Sequence, residues 1–213
     1  MLLFHFILMH KNIFKHPNLS IKNFEHSFSK DQADRWLESS LNELNWLEGE
    51  IKLFGKNIKI PRLQCWYADE GCNYKYSGKV LERNNWHPTL LEIKSNIESI
   101  TSQKYNSVLA NYYRNGSDSM GWHSDDESML DKDSAIASIS LGQERPLHFK
   151  HKNKDISFAV KQTHGSLIVM DGETQKYWKH CIKKSKKIMK PRLNLTFRTV
   201  SYTHLRAHET THD

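Results

Sequence analysis

Cysteine is scarce in this chain, and long apolar runs are absent. The three cysteines, Cys65, Cys72 and Cys181, are odd in number and form no C-x-x-C pair. This disfavours a disulfide framework and predicts a reducing compartment, cytoplasmic in a bacterium or nuclear in a eukaryote, rather than secretion. The apolar start Met1–Met9 is too short to span a bilayer and lacks the features of a signal peptide. We therefore expect no membrane association.

Internal repeats and linker-like segments are also missing. A chain of 213 residues is long enough for one domain with a substantial core, and we assign residues 1–200 to a single domain and expect a monomer. Residues 201–213 hold three histidines without apolar periodicity, and we interpret them as an extraneous or disordered tail. The net charge of +7 favours a polyanionic partner such as nucleic acid, although a basic protein without such a partner fits the charge equally well.

Hydrophobic periodicity predicts two helices followed by a series of short strands. One helix is expected from Ser29, with Asp31 as a possible cap, and a second from His87 with Leu90 and Leu91 on its buried side. The later strands are predicted at residues 135–141, 146–150, 156–160, 166–170 and 192–198. Two helices followed by at least six strands indicate a mainly β fold with flanking helices, an α+β sandwich or barrel.

A hairpin is predicted between the two helices. Residues 51–62 form two alternating runs around Phe54-Gly55. A phenylalanine beside lysines at a hairpin tip is unusual unless it packs beneath the turn or contacts a partner. The stretch that follows, to Gly78, mixes tyrosine and tryptophan with polar residues, a composition that suits either a core or stacking on nucleic-acid bases.

One segment combines residue types that bind metals. After the alternating strand Leu109–Tyr113 and a turn, His123 and Asp125 follow two residues apart, so in an extended segment both point to the same side. An imidazole and a carboxylate on one face are two parts of the facial triad that binds Fe(II). His-x-Asp alone is weak, because it occurs by chance in many loops. The third ligand should lie near the end of an adjacent strand, where His180 is best placed.

A predicted strand near the end of the chain has one polar face. One face of residues 192–198 consists of Arg192, Asn194, Thr196 and Arg198, and the other is apolar. Such a strand lines a polar cavity. Two histidines and one carboxylate leave three iron positions, of which a 2-oxo acid can take two and dioxygen the third. The far carboxylate of that acid needs a planar, bidentate cation, which is the chemistry of arginine. Asn111 and Tyr113 add neutral donors.

These motifs together resemble the AlkB family of Fe(II)- and 2-oxoglutarate-dependent dioxygenases, close to the members that repair alkylated DNA. The resemblance runs from about Leu53 to Arg198. Residues 1–50 match only weakly, 51–80 match the nucleotide-recognition hairpin and loop, and 105–200 match the catalytic core. The resemblance implies a double-stranded β-helix, or jelly-roll, core. It also implies Fe(II), 2-oxoglutarate and dioxygen as cofactor and cosubstrates.

The resemblance also implies residue roles. The iron ligands would be His123, Asp125 and His180. The 2-oxoglutarate ligands would be Asn111, Tyr113, Arg192, Asn194, Thr196 and Arg198. The substrate contacts would be Phe54, Gly55, Arg62, Tyr74, Tyr76, Asp126 and Glu127. Within that last set, Phe54-Gly55 matches the wedge that fills the gap left by a flipped base, and Arg62 falls, like the run Lys183–Lys187, where duplex-acting relatives contact phosphates. Ala68 departs from the family, in which glycine is expected.

The implied reaction is oxidative demethylation of N-alkylated DNA bases of the 1-methyladenine and 3-methylcytosine type, with release of formaldehyde, succinate and carbon dioxide. Asp126 suits these bases because they carry positive charge. Three alternatives remain: the same chemistry on RNA or protein, a catalytically silent nucleic-acid-binding jelly roll, and a zinc hydrolase, which would not need two inward arginines.

Overall fold

The structure is a computed structural model that describes residues 10–25, 27–53, 55–72, 75–76 and 79–201. The apolar start Met1–Met9 lies outside the described residues, as do residues 202–213 of the predicted tail. The helices are α1 (Lys30–Glu43), α2 (Pro88–Thr101) and a short α3 (Gly172–Tyr177). No helix in the described part of the chain is long and apolar enough to cross a membrane.

Both long helices begin where the sequence predicts. The Ser29 side chain accepts a hydrogen bond from the backbone N–H of Gln32 and caps α1, whereas Asp31, the expected cap, lies in the first turn. His87 caps α2 in the same way, with a proline in the first turn. The prediction for Leu91 is wrong, since this side chain is 45% exposed. The buried stripe of α2 instead follows Leu90, Ile93 and Ile97. Leu91 is one residue further along the helix than Leu90, so its side chain points away from that stripe.

The strands, numbered in chain order, form three sheets within the described residues. The large sheet contains β1 (His10–Ile13), β2 (Ile21–Glu25), β3 (Leu47–Leu53), β4 (Lys56–Ala68), β7 (Arg83–Asn84), β8 (Ser107–Tyr113), β10 (Ile136–Gly142), β13 (Ser166–Met170) and β15 (Arg192–Arg198). The small sheet contains β9 (Met120–His123), β11 (Arg145–His151), β12 (Ser157–Gln162) and β14 (Trp178–Ile182). A two-stranded ribbon consists of β5 (Lys75–Tyr76) and β6 (Lys79–Val80).

The chain crosses repeatedly between the large and small sheets. The large sheet has the order β1-β2-β13-β10-β15-β8-β4-β3, with β7 added in parallel beside β4. The small sheet has the order β12-β11-β14-β9, and its pairs are antiparallel. From β8 to β15 the chain changes sheet at every step except between β11 and β12, which are neighbours in the small sheet. Such repeated crossing between two sheets is typical of a jelly roll. The predicted fold class is therefore confirmed.

Two apolar layers flank the large sheet. On its outer face the helices contribute Trp36 and Leu90, which pack with Leu193, Leu195 and Phe197 of β15. Between the sheets lies a second layer, to which the large sheet gives Leu109 and Ile168 and the small sheet gives Phe149 and Trp178. The apolar face of β15 thus turns to the helices, and its polar face turns to the space between the sheets, as the alternation predicts.

Two elements differ from the sequence-based expectation. The second arm of the predicted hairpin continues as β4 to Ala68, because Cys65, Trp66 and Tyr67 are buried and pair along β8. The segment after β13 forms α3, where a turn was expected.

Candidate active site

Three predicted metal ligands meet between the sheets. His123 ends β9, Asp125 follows it, and His180 lies on β14 directly opposite His123 in the antiparallel register. The Nε2 atom of His123 is 3.8 Å from Asp125 Oδ1, and the Nε2 atom of His180 is 3.7 Å from Asp125 Oδ2. All three ligand atoms lie within 4.8 Å of one another. Adjacent strands thus form a site with two imidazoles and one carboxylate, the donor set of a facial triad.

Hydrogen bonds from neighbouring groups fix the orientation of His123, Asp125 and His180, the trio of predicted metal ligands. His123 Nδ1–H donates to the Gly121 carbonyl oxygen at 2.9 Å, which leaves Nε2 facing the other two ligands. The backbone N–H of Asp125 donates to Gln175 Oε1 of α3 at 2.9 Å. Outer contacts of this kind hold metal ligands in their binding geometry.

The protonation states favour metal binding at neutral pH. Burial, with the neighbouring His123, lowers the pKa of His180 to about 3, and burial also lowers the pKa of His123. Burial alone would raise the pKa of Asp125, but Arg198 and the two histidines outweigh it and lower that pKa to about 2. Two neutral imidazoles and an ionised carboxylate are the states that bind a cation without prior proton loss.

Arg198 lies against the metal carboxylate. Its Nη2 donates to Asp125 Oδ1 at 2.6 Å, and both side chains are almost fully buried. Arg198, a predicted 2-oxoglutarate ligand, is thus in direct contact with a metal ligand.

The polar face of β15 lines the same cavity as the trio. Asn194 Nδ2 donates to Ser138 Oγ at 2.6 Å, and Thr196 Oγ1 donates to Asn194 Oδ1 at 3.2 Å. Asn111 and Tyr113 reach the cavity from the neighbouring strand β8. The structure therefore brings all six predicted 2-oxoglutarate ligands to one cavity beside the metal ligands.

Arg192 provides the clearest test of whether a dicarboxylate fits. The side chain is fully buried, and its Nε donates to Ser140 Oγ at 3.0 Å, but Nη1 has no hydrogen-bond partner among the described residues. Burial lowers the pKa of Arg192 to about 10, so the guanidinium stays charged at neutral pH. A buried cation with an unused N–H group is costly unless an anion joins it, and a carboxylate of 2-oxoglutarate fits that need.

The expected phosphate contact of Arg62 is not what the structure shows. The Arg62 side chain is 4% exposed; its Nε donates to Asn111 Oδ1 at 2.7 Å, and its Nη1 donates to the Ser119 carbonyl oxygen. The guanidinium is directed inward because β4 pairs with β8 here and the alternation places Arg62 on the cavity side. Arg62 therefore orients a predicted 2-oxoglutarate ligand.

The predicted substrate contacts are described only in part. Phe54 and Tyr74 lie outside the described residues, as does the side chain of Tyr76 in β5. Gly55 forms the exposed turn between β3 and β4 with a φ of 77°, a conformation that glycine adopts without strain.

The two carboxylates after the trio face a different space. Asp126 and Glu127 line a second cavity, which adjoins the first through Asp125. The Asp126 side chain is 60% exposed and lies 3.3 Å from Lys152 Nζ. It is thus accessible to a substrate, and its charge is partly balanced by a lysine.

The lysines of the run 183–187 are exposed, and hydrogen bonds hold the backbone of the run in place. The Ser185 N–H donates to the Gly116 carbonyl oxygen at 2.8 Å, and Arg145 donates to the carbonyl oxygens of Asp118 and Lys183. Four exposed ammonium groups therefore project from a backbone that is held against the loop after β8.

Gly116→Ala should displace this run. An added Cβ would lie 2.6 Å from the Ser185 carbonyl oxygen and 2.9 Å from that of Lys187, and backbone atoms cannot yield as a flexible side chain can. We expect a loss of about 1–3 kcal/mol of stability, with weaker binding of a polyanion such as a labelled oligonucleotide. Thermal melting and fluorescence anisotropy measure the two effects. Gly121→Ala is the stability control, since nothing lies within 4 Å of its added Cβ; equal melting temperatures for both variants would contradict the expectation.

Sequence reasoning missed three supporting side chains. Gln175 holds the Asp125 backbone, Lys152 pairs with Asp126, and Arg145 fixes the lysine run. None belongs to a local motif. By contrast, Ser138 and Ser140 could have been found, because they alternate with apolar residues along β10 and face the cavity.

Comparison with known proteins identifies related chains. A family model described as the 2OG-Fe(II) oxygenase superfamily matches residues 20–198. Human DNA oxidative demethylase ALKBH2 is 37% identical over 187 residues, which cover 83% of this chain and 72% of that protein. Human alpha-ketoglutarate-dependent dioxygenase alkB homolog 3 is 37% identical over 179 residues, 79% of this chain but only 62% of that protein.

A solved structure supports the fold alone. The structure of OsALKBH1 superimposes with a TM-score of 0.59 at 15% sequence identity, and the superposition covers 89% of this chain and 99% of that one.

Proposed function

This chain belongs to the 2OG-Fe(II) oxygenase superfamily, and from that premise we propose that it oxidatively demethylates N-alkylated bases in DNA. It is an Fe(II)- and 2-oxoglutarate-dependent dioxygenase. Bound iron, with 2-oxoglutarate and dioxygen, supplies the oxidising chemistry, and the protein supplies binding, orientation and a protected cavity. The products would be the repaired base, formaldehyde, succinate and carbon dioxide.

One observation carries the enzymatic part of the proposal. The His123, Asp125 and His180 ligand atoms share a cavity with the unused Nη1 of buried Arg192. A zinc hydrolase needs the trio but not that arginine, and a silent binding protein needs neither. Arg192 is proposed to bind the far carboxylate of 2-oxoglutarate, with Asn194, Thr196, Asn111 and Tyr113 beside it and Arg198 against the metal carboxylate.

DNA as the substrate rests on relatives and on charge. Two relatives that cover most of this chain are named DNA oxidative demethylases. The net charge of +7 and the exposed lysine run suit a polyanion. Asp126, exposed beside the metal ligands, is proposed to read the positive charge of 1-methyladenine or 3-methylcytosine, with Glu127 as a second carboxylate. RNA carrying the same bases is the second candidate, since none of these contacts distinguishes the sugars.

We propose the cellular compartment of the enzyme from the state of its cysteines. Cys65, Cys72 and Cys181 are free and buried, which favours a reducing compartment, cytoplasmic or nuclear. We also propose that it acts as a monomer.

The decisive assay uses oligonucleotides with a single 3-methylcytosine, as single-stranded DNA, duplex DNA and RNA. Each is incubated with the iron-loaded enzyme, with and without 2-oxoglutarate, and read by mass spectrometry. We expect loss of the methyl mass only with 2-oxoglutarate, and on DNA faster than on RNA. Demethylation of RNA alone would reassign the substrate, and succinate formation without any demethylation would exclude nucleic-acid repair.

Phe54→Ala tests the proposed wedge. An apolar wedge replaces part of the stacking lost when a base leaves a duplex, whereas a single strand has no such gap. We expect activity on methylated duplex DNA to fall much more than activity on the matching single strand, with little change in melting temperature. A core phenylalanine would instead cost about 3–5 kcal/mol on truncation. Equal losses on both substrates, or a large fall in melting temperature, would exclude the wedge.

A further inference from the structure

The outer face of the small sheet carries features that the metal cavity does not use. Side chains alternate along β9, so Trp122 projects from the face opposite His123. The indole is 37% exposed and borders a groove that is also lined by His148, Lys150 and Lys183. An exposed tryptophan thus lies one residue from a metal ligand, on the outer side of the same strand.

The groove is strongly basic. Lys150 and Lys179 lie directly opposite each other on β11 and β14, and like charges in such a pair repel. Within the described part of the chain, neither lysine forms an ion pair, and neither does Lys183. Among the described residues that line the groove, Asp155 is the only carboxylate. Positive charge is therefore in excess on this face, and an anionic partner would balance it.

The exposed tryptophan and one of the lysines of this face are in contact. Lys150 Nζ lies 4.6 Å from the centroid of the Trp122 ring, a cation–π contact. The groove also continues into the exposed lysine run, because Lys183 is both a groove residue and the first residue of that run. A flat aromatic ring bordered by cationic side chains is an arrangement that binds unpaired nucleotides.

We propose that this face binds the single-stranded flank of the nucleic-acid substrate, with a base stacked on Trp122 and phosphates on Lys150, Lys179 and Lys183. The proposal rests on the proposed function, since it assumes that the substrate is a nucleic acid. A single strand is favoured over a duplex because only an unpaired base presents a free face to the indole. The surface would therefore favour lesions in single-stranded DNA.

The first experiment compares Trp122→Ala, Trp122→Phe and Leu91→Ala with the wild-type enzyme. Leu91 is an exposed apolar residue on α2 and serves as the matched control. Anisotropy with an unmethylated single-stranded 15-mer should show a loss of about five- to a hundredfold in affinity for Trp122→Ala. Trp122→Phe should retain most of the affinity, and Leu91→Ala should match the wild type. Kinetics on 3-methylcytosine should show a greater loss on the single strand than on the duplex, opposite to Phe54→Ala.

The second experiment measures charge. For a single strand the slope of log affinity against log salt changes by about 0.7 for each phosphate contact. Lys150→Ala should reduce the slope by about that amount. Lys161→Ala should leave it unchanged, because Lys161 already pairs with Glu144 at 3.1 Å.

The outcomes separate this inference from the function it rests on. If the wild-type enzyme demethylates no oligonucleotide, the proposed function fails, whatever the variants do. If the wild type is active but Trp122→Ala binds the 15-mer as tightly as Leu91→Ala, only the surface is wrong. Three other results would also overturn the proposed surface. The first is an equal loss of activity on the single strand and the duplex. The others are a melting temperature of Trp122→Ala low enough to explain its loss of affinity, and displacement of the 15-mer by polyglutamate at equal charge.

Discussion

Replacing His123 by alanine should abolish both succinate formation and demethylation while the protein stays folded. The imidazole supplies one of three metal-ligand atoms. Its removal leaves the buried ion pair between Asp125 and Arg198 in place, and the His123 side chain is already 21% exposed. Loss of an outer-shell partner alone costs about 10–100-fold in metal affinity or activity, so loss of a direct ligand should cost more. Mass spectrometry of succinate, Fe(II) titration and thermal melting measure the three parts of this expectation.

Asp125→Ala is the informative companion variant. It should be equally inactive but also less stable, because it removes the carboxylate that accepts from buried Arg198 at 2.6 Å. Breaking a buried ion pair by deleting one partner costs about 3–5 kcal/mol. Near-wild-type succinate formation by either variant would remove that residue from the metal site. Equal melting temperatures for the two variants would show that the ion pair to Arg198 does not stabilise the fold.

Arg192→Lys should sharply raise the 2-oxoglutarate concentration needed for half-maximal rate. Lysine keeps the charge but loses the planar fork that binds a carboxylate with two N–H groups. A hydrogen bond to a charged group is worth about 1.5–3 kcal/mol, which corresponds to roughly ten- to a hundredfold in affinity. The measurement is succinate formation over a range of 2-oxoglutarate concentrations, with iron and oxygen saturating.

Arg145→Lys is the matched control for that experiment. Both guanidinium groups face the Tyr113 ring, at 5.2 Å for Arg192 and 5.5 Å for Arg145. Arg145, however, donates to backbone carbonyls and not to the cavity. Its variant should melt at a lower temperature with an unchanged requirement for 2-oxoglutarate. If Arg192→Lys behaves in the same way, Arg192 has a structural role and the cosubstrate carboxylate binds elsewhere.

Local sequence patterns were sufficient for much of the fold. The alternation in residues 192–198 predicted a strand with one polar face, and β15 has its polar side chains in the cavity and its leucines against the helices. The helix signal that begins at Ser29 located the start of α1, although the expected cap was Asp31. These predictions depend on patterns that repeat every two to four residues, so all the residues needed to recognise them lie within one short segment.

Contacts between distant segments could not be read in the same way. The sequence does not distinguish Arg192 from Arg198, but the fold places Arg198 against Asp125 and Arg192 against Ser140 and the Tyr113 ring. Arg62 was expected at a phosphate and lies beside Asn111. In each case the neighbour comes from another strand, so the role depends on strand order and register rather than on the local pattern.

The pairing of β9 with β14 ties iron binding to the completion of folding. His123 and His180 are opposite each other in space, but β10 to β13 and α3 separate them along the chain. Two of those four strands belong to the large sheet and two to the small sheet. Closing so long a loop is entropically slow, so the ligands converge only when the whole jelly roll has formed. A metal that binds only this final state adds to its stability by mass action, about 2.7 kcal/mol at a hundred times its dissociation constant. Iron supply would then set how much of the newly made chain persists in its native form.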